Sequence, residues 1–332
     1  MLATLTDILH TARVVSIPMR QRFRGIETRE VVLFEGPEGW TEFSPFVEYH
    51  DAEAAAWLAA AIDFGWNATP PLLRDSVPVN ATLPSVAPQL VADVLDRFPG
   101  CRTVKVKVAE TGQTLEDDVA RVAAAREYLG VEGRIRIDAN GGWNVDEAEH
   151  AIHALAGFDL EYVEQPCATV DELWQIRQRV KYMGLPIAAD ESVRKAADPL
   201  LVARQEAADI LVIKAQPLGG IHNSLAIAAE TGLPLVVSSA LETSVGISMG
   251  LHLAAALPEL PYDCGLATVS LLSLDVATDP LVPVDGSIDV RRVVPNGSIF
   301  TDYAASSERE AWWLARLERC YALLANQRGP ST

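Results

Sequence analysis

Ile135-Arg136-Ile137-Asp138-Ala139 is a short β-branched run that closes on an acid, and the same plan recurs along the chain. Runs at 162–164, 187–190, 210–214 and 235–239 end on Glu164, Asp190, Lys214 and Ser239. From Asp138 onward these endings lie 26, 26, 24 and 25 residues apart. Ala- and Leu-rich stretches with helical spacing fill the intervals, at 115–129, 145–156, 170–183, 198–206, 221–231 and 244–256. Such alternation marks successive βα units and a parallel sheet. Further runs at 77–81, at 103–108 and, more weakly, near Asp263 bring the count to eight. That is what a closed (β/α) barrel requires, and in such a barrel the C-terminal strand ends converge on one mouth. Function is therefore expected at these endings. An open doubly wound sheet usually carries a Gly-rich phosphate loop after its first strand, and Asn80-Ala81-Thr82-Leu83-Pro84 is not one.

Residues 1–77 read differently. Strand-like runs at 12–17, 28–34 and 39–43 are separated by Arg22-Phe23-Arg24-Gly25 and Gly36-Pro37-Glu38-Gly39 turns, and a helical stretch follows at 52–64. This is an α+β cap rather than more barrel. The expected division is a cap of residues 1–77, a barrel of residues 78–289, and a tail, 290–332, that packs back through a helix at 308–325 carrying Trp312 and Trp313. No low-complexity linker separates these parts, so a tight junction is expected.

Composition narrows the partners. The chain has 332 residues, 49 % of them apolar, enough for one large core. With 27 basic and 45 acidic residues its net charge is −18, which repels phosphate backbones and anionic membrane surfaces, so nucleic acid is excluded. An acidic chain that handles an anionic substrate needs a local island of positive charge. Residues 1–10 lack the pattern of a secretory signal, and no stretch has the roughly 18 apolar residues of a membrane span. Cys101, Cys167, Cys264 and Cys320 lie far apart without CxxC spacing, which suggests neither zinc nor disulfides and makes the cytoplasm the expected location.

Asp138, Glu164 and Asp190 end three consecutive βα units, so a barrel brings their carboxylates together at one mouth. Three bare carboxylates repel strongly. A hard divalent cation relieves that repulsion, and an all-oxygen donor set favours Mg²⁺ or Mn²⁺. Any one of these acids alone would read as a helix cap or a surface acid; the matched trio points to a metal site.

Lys105 and Lys107 alternate with valines, so their ammonium groups share one side of the second strand. If that side is the barrel interior, desolvation and a neighbouring cation lower the lysine pKa towards the range of a general base. For Lys105-Val106-Lys107 alone, the exposed face of an edge strand is the plainer reading. Lys214 shifts the balance, because a charge ending the apolar run Ile210-Leu211-Val212-Ile213 needs the carboxylates as partners. Lys107 ends the second strand and Lys214 the sixth, so they face each other across the mouth with the acids between them. This suits removal of a proton α to the carboxylate of a small-molecule substrate: the metal stabilises the enediolate, one lysine takes the proton, and the other supplies positive charge.

Lys105-Val106-Lys107, Asp138-Ala139-Asn140, Glu164-Gln165-Pro166, Ala189-Asp190-Glu191-Ser192 and Ile213-Lys214-Ala215-Gln216 resemble the signature segments of the enolase superfamily, muconate-lactonizing branch. The resemblance implies a modified (β/α)7β TIM-like barrel with an α+β capping domain, and a site with a Lys or His base and Mg²⁺. Within that branch, Phe23-Arg24-Gly25, Glu42-Phe43-Ser44-Pro45-Phe46, residues 238–244 and Cys264-Gly265-Leu266-Ala267-Thr268 are similar to the o-succinylbenzoate synthase family. That family's reaction is dehydration of 2-succinyl-6-hydroxy-2,4-cyclohexadiene-1-carboxylate to o-succinylbenzoate in menaquinone biosynthesis. Carried over by position, Lys107 is the base and later the acid that helps the hydroxyl leave, while Lys214 stabilises the enediolate from the opposite face.

Lys105, Asn140, Ser239 and Leu241 are candidate substrate contacts, with Glu242 beside them. Glu191 and Ser192 are candidates to orient Lys214 and Asp190. Arg22 and Arg24 lie in a cap loop that could close over the mouth. Two opposed lysines also suit 1,1-proton transfer, so an N-acylamino acid racemase or dipeptide epimerase is the alternative. A barrel kept only as a scaffold is disfavoured, since buried charges without a task cost stability.

Overall fold

The computed structural model describes residues 3–194 and 199–327. Helix α1 (Leu5–Thr11) starts at a reciprocal cap: Thr4 Oγ accepts from the Asp7 N–H, and the Asp7 carboxylate accepts from the Thr4 N–H. An antiparallel sheet follows, with β1 (Arg13–Phe23), β2 (Ile26–Gly36) and β3 (Gly39–Phe43) in sequence order. The strands run longer than the expected runs at 12–17 and 28–34. As a result Arg24 and Gly25, at φ 51° and 75°, form a two-residue hairpin tip rather than a loose loop. Helix α2 (Asp51–Trp66) lies against this sheet, so close that a Cβ on Gly36 would stand 2.2 Å from the Gly65 carbonyl oxygen.

The remaining strands are β4 (Ser76–Pro78), β5 (Ala81–Leu83), β6 (Thr103–Lys107), β7 (Arg134–Asp138), β8 (Leu160–Glu164), β9 (Ile187–Ala189), β10 (Ile210–Ile213), β11 (Leu235–Val237) and β12 (Ser287–Asp289). Strands β5 to β11 form one parallel sheet in chain order. The eighth position is filled by single bridges, Cys264 to Val79 and Gly265 to Ser238, which join the two edges into a TIM-like barrel. The run expected at 77–81 divides between two sheets: β4 pairs antiparallel with β12, and only from Ala81 does the chain join β6. Pro78 has no N–H to donate to a ladder, and its carbonyl accepts from Cys264 N at 2.8 Å.

Around the barrel stand α3 (Val91–Leu95), α4 (Leu115–Leu129), α5 (Val145–Leu155), α6 (Val170–Val180), α7 (Glu191–Arg194), α8 (Leu201–Arg204), α9 (Ile221–Thr231) and α10 (Ser244–Ala256). Residue 198, where the helix expected at 198–206 begins, lies outside the described residues. Helices α11 (Ile299–Asp302) and α12 (Ser307–Gln327) end the chain. The last packs on the cap, where Trp313 Nε1 donates to Glu30 Oε2 at 2.8 Å and Arg316 to the Phe46 carbonyl at 3.1 Å. One apolar core runs through cap and barrel, and Tyr162, Ala188, Ile210, Val212 and Val236 pack together as a second, smaller cluster. Among the described residues no helix is long and apolar enough to cross a membrane.

Candidate active site

Ladder register sets the site. Lys107 stands opposite Asp138, and Asp138 opposite Glu164, so three consecutive strands end on charged groups at one level. Asp190 and Lys214 follow immediately after β9 and β10. Lys107 Nζ donates to Asp138 Oδ2 at 2.5 Å and to Asn140 Oδ1 at 2.6 Å. Deeper in the barrel, Lys105 Nζ lies 2.8 Å from Glu164 Oε1 and 3.2 Å from Asp138 Oδ2. Lys214 Nζ donates to Asp190 Oδ2, whose other oxygen lies 3.2 Å from Arg194 Nε. None of the three lysines and three carboxylates is more than 7 % exposed, so each charge depends on its neighbours instead of water.

That dependence separates the two lysines of β6. Burial pulls Lys107 below the ordinary ammonium value, and the nearby Lys105 charge adds to this against the pull of Asp138. For Lys105 burial acts the same way, but Glu164 and Asp138 outweigh it and hold the group well above its ordinary value. The carboxylates diverge too. Asp138 and Asp190 are desolvated yet held well below the usual range by their lysines, whereas burial and the Asp138 charge push Glu164 up to about 7.

Lys105, Lys107, Asp138, Asn140, Asp190, Lys214, Ser239 and Leu241 all line one cavity of about 30 Å³; Glu164 is not in its lining and is bonded to Lys105. That volume holds about one water molecule, so admitting a substrate requires side chains to move. The obvious cover is the β1–β2 hairpin tip. Phe23 places its ring 5.6 Å from Lys107 Nζ, and the Arg24 guanidinium lies 4.5 Å over the Phe46 ring. Beyond the tip a vestibule of about 540 Å³ is lined by Arg22, Phe23, Arg24, Lys107, Glu110 and others.

A further layer orients this ring. Gln165 Oε1 accepts from the N–H groups of Asp190 at 3.0 Å and Ser192 at 3.1 Å, and its Nε2 donates to Ser192 Oγ at 2.7 Å. Glu191 Oε1 accepts from Asn140 Nδ2 at 3.1 Å and from Arg194 at 2.6 Å, and Arg194 also donates to the Tyr49 hydroxyl at 2.8 Å. Sequence reasoning passed over Arg194 and Tyr49. The position of Arg194, four residues past Asp190, was a usable signal; Tyr49 reaches across from the cap and offered none. Glu242, expected beside the substrate contacts, is buried with Oε2 accepting from Ala240 N at 2.5 Å.

The residues matched to a metal fit one chemically. Their donors are all carboxylate oxygens, Glu164 Oε2 is buried without a partner, and the crowding that raises Glu164 is what a hard divalent cation relieves. As the side chains stand, the ammonium groups occupy the carboxylates. Among the described residues no three His, Cys, Asp or Glu groups are gathered to hold an ion.

A capped parallel barrel with lysines and carboxylates at its strand ends is the plan of one enzyme class, and the comparisons agree. Residues 89–297 match the "Enolase C-terminal domain-like" family and residues 14–65 the "Enolase N-terminal domain-like" family. The muconate lactonizing enzyme of Pseudomonas fluorescens superposes with a TM-score of 0.75 at 20 % identity, over 89 % of this chain and 98 % of that one. The chain thus belongs to the enolase superfamily, whose members use a divalent metal ion. An o-succinylbenzoate synthase of Mycobacterium marinum is 53 % identical over 98 % of both chains. Another, from Mycolicibacterium smegmatis, is 55 % identical over 96 % of this chain and 98 % of its own. Within the superfamily the chain belongs to the o-succinylbenzoate synthase family of hydro-lyases.

Proposed function

We propose that this chain dehydrates 2-succinyl-6-hydroxy-2,4-cyclohexadiene-1-carboxylate to o-succinylbenzoate in the cytoplasm, with Lys107 and Lys214 as its working groups and Asp138, Glu164 and Asp190 as ligands of Mg²⁺. The observation that carries the reading is that Lys107 and Lys214 line one cavity from strands four apart, with the acid ring between them. When bound there, the cation supplies fixed positive charge to the substrate carboxylate.

The chain's own residues do the rest. Lys107 Nζ takes the proton α to the carboxylate, a role its lowered affinity for protons supports. Negative charge then develops on the carboxylate oxygens, and Lys214 opposes it from the other face. Lys107 returns its proton to the departing hydroxyl, so one water leaves for each substrate aromatised. Lys105 pairs with Glu164 and Asp138, which outweigh its burial and hold its proton, so it does not compete as base. Asn140, Ser239 and Leu241 form the substrate walls. The division into a cap of residues 1–77 and a catalytic barrel of residues 78–289 belongs to the same reading, with Phe23 and Arg24 excluding water from above.

Purified protein with Mg²⁺ should convert the cyclohexadiene to product, followed by ultraviolet absorbance. Because opposed lysines also permit 1,1-proton transfer, N-succinylamino acids are the control substrates. Efficient racemisation of these with no dehydration would overturn the synthase reading in favour of a racemase.

A further inference from the structure

Helix α10 begins without a group that α4, α5 and α6 possess. Helices α4, α5 and α6 each carry an acid three residues past the N-cap, Asp117, Glu147 and Glu172, which accepts from the N-cap N–H. In α10 the N-cap is Thr243 and the third residue on is Gly246. The missing acceptor comes from the cap. Glu42 on β3, fully buried, takes hydrogen bonds from Thr243 N at 3.1 Å, Thr243 Oγ at 2.5 Å and Gly246 N at 3.1 Å. A side chain at Gly246 has no room, because its Cβ would stand 2.6 Å from Glu242 Cβ and 2.7 Å from Gln216 Nε2.

One strand over, Arg29 of β2 is 3 % exposed and reaches the same loop. Its Nε donates to the Leu241 carbonyl at 3.0 Å, and a terminal nitrogen to the Ala240 carbonyl at 3.3 Å and to that of Ser44. Leu241 has φ 64°, a conformation that L side chains rarely adopt and that persists only where surroundings impose it. Ser239, Ala240 and Leu241 in turn form part of the cavity wall around Lys107 and Lys214.

We infer that Arg29 and Glu42 are positioning residues: two buried cap side chains hold the Ala240–Thr243 backbone, and through it Ser239 and Leu241, in the shape that meets the substrate. The inference rests on the proposed role of Ser239 and Leu241 as substrate walls. A cap that merely stabilised the fold would lower the amount of active enzyme without changing its affinity. A cap that shapes the wall alters substrate binding in protein that is fully folded.

Steady-state dehydration kinetics of the full chain with Mg²⁺ test this. Arg29→Met should raise KM about tenfold or more while kcat stays within about threefold, in protein whose circular dichroism matches wild type. Leu241→Gly supplies the coupling test, since glycine adopts the left-handed conformation unaided. The KM penalty of Arg29→Met should therefore be smaller in the Leu241→Gly background than in wild type. Should Arg29→Met not fold, Arg29→Lys carries the same test, because one ammonium cannot reproduce the guanidinium fork. A KM within twofold of wild type, or full additivity with Leu241→Gly, overturns the inference. If Ser239→Ala raises KM in the same assays, the substrate wall survives that failure. If neither Ser239→Ala nor Leu241→Gly changes KM, the wall assignment itself is wrong, and the inference falls with it.

Discussion

Lys107 Nζ lies 2.5 Å from Asp138 Oδ2, so the lysine proposed to remove the substrate proton is ion-paired with a carboxylate proposed to hold the metal. That pairing opposes loss of the Lys107 proton, which burial and the Lys105 charge favour. Engaging Asp138 with a divalent cation weakens its hold on Lys107, and a second cation nearby lowers the lysine's proton affinity further. Chelation of divalent ions should therefore abolish exchange of the substrate α-hydrogen as well as product formation, and added Mg²⁺ should restore both. Solvent-deuterium exchange followed by NMR checks this; exchange that persists in chelator would show Lys107 working without metal.

The two lysines should fail differently when replaced. Lys107→Ala is expected to lose both exchange and turnover, and Lys214→Ala to lose turnover because charge developing on the substrate is less opposed. Removing a base or a charge of this kind costs about 10²-fold or more in rate. Near-normal turnover by Lys107→Ala would reassign the base.

Glu164 carries the metal assignment most directly, because its Oε2 is the buried carboxylate oxygen of the ring without a partner. Glu164→Gln should keep the fold, since the residue ends β8 and its removal relieves the repulsion from Asp138. Calorimetric titration with Mg²⁺ should show weakened binding, with metal-dependent turnover lost. Unchanged affinity together with unchanged turnover would remove Glu164 from the ligand set.

Arg121 supports the backbone at the end of β6. Its guanidinium, 1 % exposed, donates to the Lys107 carbonyl at 2.9 Å, the Val86 carbonyl at 2.9 Å and Asp118 Oδ1 at 2.8 Å. Arg121→Met removes the ion pair of buried Asp118 and leaves it the Ala109 N–H at 2.9 Å, a loss of roughly 3 kcal/mol for a broken buried pair. Chemical denaturation should show that loss, and adding Asp118→Asn should recover part of it. A variant as stable as wild type would mean that water reaches Asp118.

Much of the site was legible because it is periodic. Strand ends recur every 24 to 26 residues, and each ending residue must face the mouth, so Asp138, Glu164, Asp190 and Lys214 declared themselves without any knowledge of contacts. Lys105 and Lys107 followed from alternation on a strand. The eighth strand was faint because single bridges at Cys264 and Gly265 do its work, and no long β-branched run is needed for that. Arg29 could not be read at all, and Glu42 only as part of the Glu42-Phe43-Ser44-Pro45-Phe46 segment, with no sign of what it meets. Their partners, Leu241 and Thr243, lie 212 and 201 residues away, and an Arg or Glu in a cap strand has no periodicity that announces what it will meet. Their pairing exists only after cap and barrel dock.

Glu42 should also give the protein a measurable pH dependence. Burial, reinforced by the Glu242 charge, pushes its carboxyl from an ordinary 4.5 up to about 7, against hydrogen bonds from Ser44 and Thr243 and the charge of Arg29, which act the other way. Between these values the folded chain binds a proton at this position that the unfolded chain has released. The stability this group contributes is thus fully present below about pH 4.5 and is lost as pH rises through about 7. The loss is on the order of 3 kcal/mol. Glu42→Gln keeps an acceptor for Thr243 and Gly246 but has no proton to lose, so the other titrating groups cancel when the two proteins are compared. The unfolding free energy of Glu42→Gln minus that of wild type should rise as pH goes from about 5 to about 8 and level off above that range. Urea denaturation at a series of pH values measures the difference; a constant difference across the range would mean that Glu42 titrates normally and that its burial is relieved by water.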